Sequence, residues 1–501
     1  METEEYQQVN RLIENLSSDM DYKIPEVSVI LAAGHGKRIK SQKSKMLHKI
    51  WGIPTVERVL NACTKGIKNV NVVMVVGIKA KDVIEVVGKR KLLSFAYQQV
   101  QNGTGHAVQV ALEKINDKKF DGTVFVLPGD MGLIDSDTIR KFRKEFMNSG
   151  SDMSVLTGTY EGDPKNNSYG RIIRVKPEDE KGKPSGNDFG KVIEIMENKD
   201  ILALSEDNPY KVKYNNRYYT YSRKELVNNN EFNSGVYAFK FKKLTELVHS
   251  LKSNNVQNEI YITDLIALFN NKGYSVTAVS PGDPDVVMGF NNKSVLKEME
   301  EVARKKVYDR IKDIIEIDDP DDFFIDEEVV DDIVMMDKKN IPLDIRIGKG
   351  AHIDKGVRLN YNLNIGKNTY LGGDVFLGKN VTVHDNVQIT CYPKQKMEIG
   401  NHVEILSGDI VKGNIIIGDH TRIESSVRMT GSDTHPLRIG EKVLIKGSSY
   451  IFGSVIEDDV HIEHSVIIRK KVERLIKKNG SIQPIKYYLP FPEGIDSIED
   501  L

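Results

Sequence analysis

Residues 345–390 read IRIGKGAHIDKGVRLNYNLNIGKNTYLGGDVFLGKNVTVHDNVQIT, and their spacing decides the architecture of the C-terminal third. Ile347, Ile353, Leu359, Ile365, Leu371, Leu377, Val383 and Ile389 follow one another in unbroken steps of six. After an interruption the step resumes at Ile399, Ile405, Val411, Ile417, Ile423 and Met429, then in shorter runs at Ile439, Ile445, Ile451 and at Ile456, Ile462, Ile468. Several of these residues precede a glycine, as in Ile347-Gly348 and Ile417-Gly418. An α-helix has no six-residue period. One inward aliphatic per hexad, stacked on its equivalent one coil away, predicts a parallel β-helix.

Upstream the pattern is different. VSVILAAG, VNVVMVVG and TVFVLPGD are apolar strands, separated by the helical stretches TVERVLNACTKG and AKDVIEVVG. This alternation predicts a Rossmann-like α/β domain on a mostly parallel sheet with both faces covered. SDMSVLTGTY, SYGRIIRV, KVIEIMEN and EFNSGVYAFK add further strands, and YITDLIALFNNKG a helix. Residues 1–24 read as an amphipathic helical extension outside that core. The polar stretches near 176–190 and 200–230 read as surface insertions. The expected division is 25–293 for the α/β domain, 294–318 for a linker helix, 319–470 for the β-helix and 471–501 for a tail.

With 71 Lys plus Arg against 72 Asp plus Glu, net charge −1, nothing in the charge balance calls for nucleic acid or a membrane surface as partner. Two distant cysteines, Cys63 and Cys391, form no disulfide framework. An acidic N-terminus and the lack of a long apolar run lead us to expect a cytoplasmic protein.

Residues 31–48, LAAGHGKRIKSQKSKMLH, place two glycines and a run of basic residues directly after a strand. Bare backbone and positive charge there suit a phosphate. The loop is neither a Walker A motif nor a full dinucleotide fingerprint, and an ordinary tight turn with a solvated basic face is the alternative. Asp130 ends an apolar strand, where parallel sheets bind ligands and where a carboxylate suits Mg²⁺; the alternative is that Asp130 or Asp135 caps the next helix. GTGHAV at 103–108 supplies a second bare turn, and Gln98 an amide suited to a base edge.

Together these stretches resemble the N-acetylglucosamine-1-phosphate uridyltransferases, which read Leu-Ala-Ala-Gly-x-Gly-Thr-Arg-Met and then Pro-Lys-Val-Leu-His at the same spacing. YQQVQNGTGHAV, LPGDMGLI, SYGRIIRV, MENKD, FNSGVY, NEIYITDLI and GFNNKSVL recur in the family's order across residues 27–310. The resemblance implies a sugar nucleotidyltransferase domain followed by a left-handed β-helix. It implies UTP and N-acetylglucosamine 1-phosphate as substrates, UDP-N-acetylglucosamine and pyrophosphate as products, and Mg²⁺ as cofactor. By the same resemblance Leu31, Ala32, Ala33, Gly34, Gly36 and Arg38 cradle the triphosphate, and Lys45 neutralises charge between the two polyanions, so that Arg38 and Lys45 are the catalytic pair. Gln98, Gly103 and Thr104 read uracil. Asp130 and Asn291 hold the metal. Gly170, Glu197 and Asn233 hold the amino sugar. Lys37 departs from the family's Thr, and Ser44 from its Pro. A related enzyme for another nucleotide or sugar phosphate, or a non-catalytic nucleotide-sugar scaffold, is the alternative reading.

Many members of that family also acetylate glucosamine 1-phosphate on the β-helix. Here Lys367 stands at the family's histidine, and Thr390-Cys391-Tyr392-Pro393 lacks the Asn-Tyr-Asp-Gly loop. Acetyl transfer is therefore not expected, and the β-helix is expected to assemble a homotrimer.

Overall fold

The structure, a computed structural model, describes residues 4–34, 36 and 39–487. The chain divides into two compact units, one up to Glu300 and one from Glu301 on. The boundary falls inside the helix Lys293–Ile311.

The first unit is built on a nine-stranded mixed sheet. Leu93–Tyr97, Asn71–Val76, Glu26–Ala32 and Thr123–Pro128 lie side by side and parallel. All six residues of Asn71–Val76 are buried, as a strand covered on both faces must be. Val27, Val29, Val73 and Val75 enter one apolar cluster, while Ile30, Ala32, Met74 and Val76 enter another. The period of two thus sends alternate side chains to helices on opposite faces. Beyond Thr123–Pro128 the order changes: Glu231–Lys240 runs antiparallel to it and to Met153–Thr159. Val276–Val279 pairs parallel with Met153–Thr159, so along the main path Glu231–Lys240 is the reversed strand in an otherwise parallel sheet.

Two expectations are corrected here. The helix Glu4–Leu16 is not outside the core. Val9 and Ile13 are buried in the same cluster as Val83, Ile84 and Phe95. The helix and its follow-on cover the edge strand Leu93–Tyr97: the Phe95 N–H donates to Ser17 Oγ (3.0 Å) and the Ser18 N–H to the Leu93 carbonyl (2.7 Å). An exposed sheet edge is thereby satisfied.

The stretch near 200–230 is likewise more than a polar insertion. Tyr210–Tyr214 and Arg217–Tyr221 form an antiparallel hairpin whose turn residues Asn215 and Asn216 both have positive φ, 45° and 61°. That is the backbone a two-residue primed turn demands. Val212, Tyr219, Tyr221 and Leu226 build a small core with Ile173, Val175, Ile193 and Ile201.

In the second unit, strands stack into three parallel sheets of eight, eight and seven strands, a left-handed parallel β-helix of hexapeptide repeats. The hexad aliphatics point inward: Ile347 pairs with Ile365, and Ile365 with Val383. Its first coil is interrupted by the helix Glu327–Asp337. One column of turn residues, Asn362, Asn380, His402, His420, Lys442 and Asp459, has φ between 55° and 60°. The repeated asparagine thus fits the left-handed backbone. The last hexad needs correction. Ile451 pairs with Ile467, not Ile468; the step from Ile462 shortens to five, which turns Ile468 outward. Among the described residues no helix is long and apolar enough to cross a membrane.

Candidate active site

The strands Glu26–Ala32 and Thr123–Pro128 pair in register up to Leu31 and Pro128, so LAAG and LPGD leave the sheet at the same carboxyl edge. The Gly129 N–H donates to the Leu31 carbonyl (2.9 Å) and ties the two turns together. Ala32 and Ala33 are buried and Gly34 is exposed. Gly36 has φ +62°, and a Cβ there would lie 2.8 Å from Lys45 Cβ. The residue must be glycine both for its backbone and for its contact with Lys45. Arg38 and the departing Lys37 lie outside the described residues.

Lys45 opens a short 3₁₀ turn, Lys45–Leu47, whose three side chains are buried. Ser44 before it has φ −55° and ψ 139°. A proline would impose that same φ, so the departure from the family's Pro leaves the approach to Lys45 unchanged. The Lys45 ammonium donates to Asp130 Oδ2 and to Asn291 Oδ1 (2.9 Å), with the Phe290 ring centroid 5.2 Å away. Carboxylate, amide oxygen and aromatic face thus converge on one cation. Asp130 is not a helix cap: Asp135 caps Ser136–Ser149, accepting the Thr138 N–H at 2.8 Å.

Asn291 sits just before the helix Lys293–Ile311 on a segment braced by a residue that the sequence reading passed over. The Tyr169 phenol donates to the Gly289 carbonyl (2.9 Å) and accepts the Gly289 N–H (3.2 Å). Its ring stacks on Phe232 with centroids 4.5 Å apart. The position of Tyr169, one residue before Gly170, was the available signal. His48, which ends the KMLH motif, is held below its ordinary pKa by burial and by the charges of Lys43 and Lys293.

Gln98, Gly103 and Thr104 also come together. Gln98 is buried and its amide donates to the Gly103 carbonyl (3.1 Å). Gly103 has φ +102°, and a Cβ there would lie 2.5 Å from the Ile260 carbonyl oxygen. Thr104 Oγ1 accepts the Ile262 N–H (3.2 Å). Gln101 was also missed. Its Nε2 donates to the Gln98 carbonyl (2.8 Å), while its buried Oε1 has no partner in the structure. The signal was the Gln-x-x-Gln spacing.

The Asn233 N–H donates to the Gly170 carbonyl (2.9 Å), and Asn233 Oδ1 accepts from the Tyr237 hydroxyl (2.9 Å). A Cβ on Gly170 would lie 3.2 Å from Glu197 Oε1, so the three residues share one neighbourhood. Burial pushes the Glu197 carboxyl up to about 7, with Asp200, Asp264 and Glu259 adding to the rise and Arg171 opposing it. The predicted residues that are described therefore gather into three adjoining groups. For a metal, the fitting donors are Asp130 and Asn291. Both offer hard oxygens, and both already face a cation. Among the described residues no group of three or more His, Cys, Asp or Glu could hold a metal alone. Mg²⁺ completed by phosphates and water is the class that suits so sparse a set.

A parallel α/β core carrying a glycine loop, a buried lysine and a strand-end aspartate defines a nucleotidyltransferase domain. The family model of the MobA-like NTP transferase domain matches residues 28–171. The chain is 37% identical to the bifunctional protein GlmU of Acetivibrio thermocellus over 310 residues, covering 60% of this chain and 57% of that protein. It is 34% identical to the bifunctional protein GlmU of Caldanaerobacter subterraneus subsp. tengcongensis over 336 residues, 65% of this chain and 64% of that one. The resemblance carried by the motifs therefore holds over a stretch that spans less than two thirds of either relative. A solved UDP-glucose pyrophosphorylase complexed with UDP-glucose matches at 13% identity over 56% of this chain and 100% of that one, with a TM-score of 0.40, too low to carry weight.

Proposed function

We propose that the first unit transfers a uridylyl group from UTP to N-acetylglucosamine 1-phosphate, giving UDP-N-acetylglucosamine and pyrophosphate. The observation that carries this reading is the convergence of Lys45, Asp130 and Asn291 at the carboxyl edge of the parallel strands. A sugar phosphate oxygen attacks the α-phosphorus in line and pyrophosphate leaves, so the protein has to position two polyanions and offset their charge. In this reading Ala33, Gly34 and Gly36 present backbone N–H groups to the triphosphate, and Arg38 takes the triphosphate-binding role that the family resemblance implies. Gln98, Gly103 and Thr104 hold the base edge. Gly170, Glu197 and Asn233 hold the amino sugar. Asp130 and Asn291 would hold Mg²⁺, which when bound neutralises phosphate charge.

The second unit assembles the protein in this reading, as a homotrimer, without acetyl transfer. Lys367 replaces the family's histidine, and burial, with a contribution from Asp374, raises the Cys391 thiol to about 11, which leaves that position inert. The test is pyrophosphate release by the full chain with Mg²⁺, N-acetylglucosamine 1-phosphate and each nucleoside triphosphate in turn. Release with UTP alone is expected. Release with a different triphosphate moves the specificity, and none with any triphosphate overturns the reading.

A further inference from the structure

The Lys45 ammonium occupies the point at which the Asp130 and Asn291 oxygens converge. Its surroundings are nearly closed: the Lys45 side chain is 9% exposed and that of Asp130 17%. The third wall is Phe290, fully buried, whose ring faces the ammonium. A cation that stands there meets a carboxylate, an amide oxygen and a π-face, which is the environment of an ion site rather than of a side chain reaching toward solvent. We propose that Lys45 is a built-in counter-ion that fills the metal position of the metal-free protein, and that Lys45 and a divalent cation exclude one another there. This inference rests on the proposed function for its assignment of Asp130 and Asn291.

The physical argument is one of charge and of anchoring. A half-buried carboxylate left without a partner is costly, because its desolvation is not offset. Lys45 removes that cost while no metal is present and keeps Asp130 and Asn291 aimed at a common point. A divalent ion carries twice the charge and displaces the ammonium from the same oxygens. The lysine is rooted at its Cβ against Gly36, so its ammonium swings no farther from that loop than its own stem reaches. The freed ammonium therefore remains beside the loop proposed to hold the triphosphate. Occupation of the carboxylate would in this way release the positive charge that the polyanions need, and Lys45 would serve the site twice. The Tyr169 brace on Gly289 holds the Asn291 segment in place through the exchange.

Mn²⁺ binding to the full chain without nucleotide, followed by electron paramagnetic resonance, tests the idea directly. Lys45→Met is expected to bind Mn²⁺ about tenfold more tightly than the unmodified chain, because it removes a competing counter-charge. Lys45→Met combined with Asp130→Asn is expected to lose that gain. Affinity that is unchanged or weaker in Lys45→Met, but still dependent on Asp130, overturns the exchange alone. Affinity indifferent to Asp130→Asn overturns the metal assignment as well. A second measurement needs no variant. In the unmodified chain, amine-reactive pulse labelling read by mass spectrometry should modify Lys45 several-fold faster once Mn²⁺ is added. A labelling rate that Mn²⁺ leaves unchanged overturns the proposal.

Discussion

Glu197 is the residue whose chemistry the sequence could place but not tune. The motif MENKD marks its position and includes Asp200, but the burial and the crowding by Asp264 and Glu259 come from the fold and from distant segments. Its carboxyl, raised to about 7, is neutral below that value and charged above it. The charged form accepts hydrogen bonds from sugar hydroxyl and amide groups more strongly. KM for N-acetylglucosamine 1-phosphate is therefore expected to rise by up to about tenfold as pH falls from 8 to 6, with KM for UTP nearly constant. Glu197→Gln, which does not titrate, supplies the slope due to the sugar phosphate itself. Matching slopes in the two proteins would show that Glu197 does not face the sugar.

Tyr169 is the second residue of this kind. Tyr169→Phe keeps the stack on Phe232 and deletes both hydrogen bonds to Gly289. We expect kcat/KM to fall about tenfold, in line with the loss of positioning rather than of chemistry. A thermal midpoint within a few degrees of the unmodified chain would separate this from general destabilisation. Activity equal to the unmodified chain would mean that the Asn291 segment needs no brace.

Among the elements, those with a strict period were legible and those fixed by tertiary partners were not. The hexads located one inward row of the β-helix because each coil repeats one constraint. A second buried row two positions earlier, with Leu363, Val381 and Val403, was left unread. Along the first row they failed only where the step shortened, at Ile467. The hairpin Tyr210–Tyr221 was hidden by its polar composition, although Asn215-Asn216 between alternating aromatics was a turn signal. The helix Glu4–Leu16 was legible as a helix but not as the cover of an edge strand, since the strand it covers lies about 80 residues away, as the Phe95 to Ser17 bond shows. At the site, each loop was readable by itself. The meeting of Lys45 with residues 85 and 246 positions away was not, because only the sheet order brings them together.

One β-helix element makes its own prediction. Asp409 lies fully buried in a column otherwise filled by Val387, Val427 and Ser449. Its Oδ1 accepts the Val427 N–H (2.7 Å), whereas its Oδ2 has no partner in the structure. Burial raises this carboxyl to about 8, against the backbone hydrogen bonds that favour the charged form. The folded state then holds a proton that the unfolded chain, titrating at the ordinary carboxyl value, has lost. The sign follows from linkage: this contribution is full at acid pH, declines as pH rises from about 4, and is gone above about 8, at no more than about 1.4 kcal/mol per pH unit. Asp409→Asn keeps the acceptor and removes the titration. Its thermal midpoint relative to the unmodified chain is expected to climb steadily from pH 5 to pH 8 and then level. A difference independent of pH would place Asp409 in contact with solvent.

For the whole molecule the two units raise the question of which one the reaction needs. Every described residue assigned to the proposed transfer lies before Glu300, inside the first unit. The second unit offers outward rows of polar and aliphatic side chains on three parallel sheets, among them Ile416, Val455 and Ile468, a surface suited to packing against copies of itself. A cut at the boundary itself would split the helix Lys293–Ile311, whose buried residues Met299, Ala303, Val307 and Ile311 recur every four positions. The informative truncation therefore ends after Ile315. Light scattering should give three times the chain mass for the full protein and a single chain mass for residues 1–315. Pyrophosphate release per chain should agree between the two within about twofold, because a site complete within one unit gains only stability from its neighbours. A truncated chain that stays folded by circular dichroism yet releases no pyrophosphate would mean that the second unit contributes to the site. A full chain that runs as a monomer would remove assembly as the reason for the β-helix and return attention to its outward faces as a binding surface.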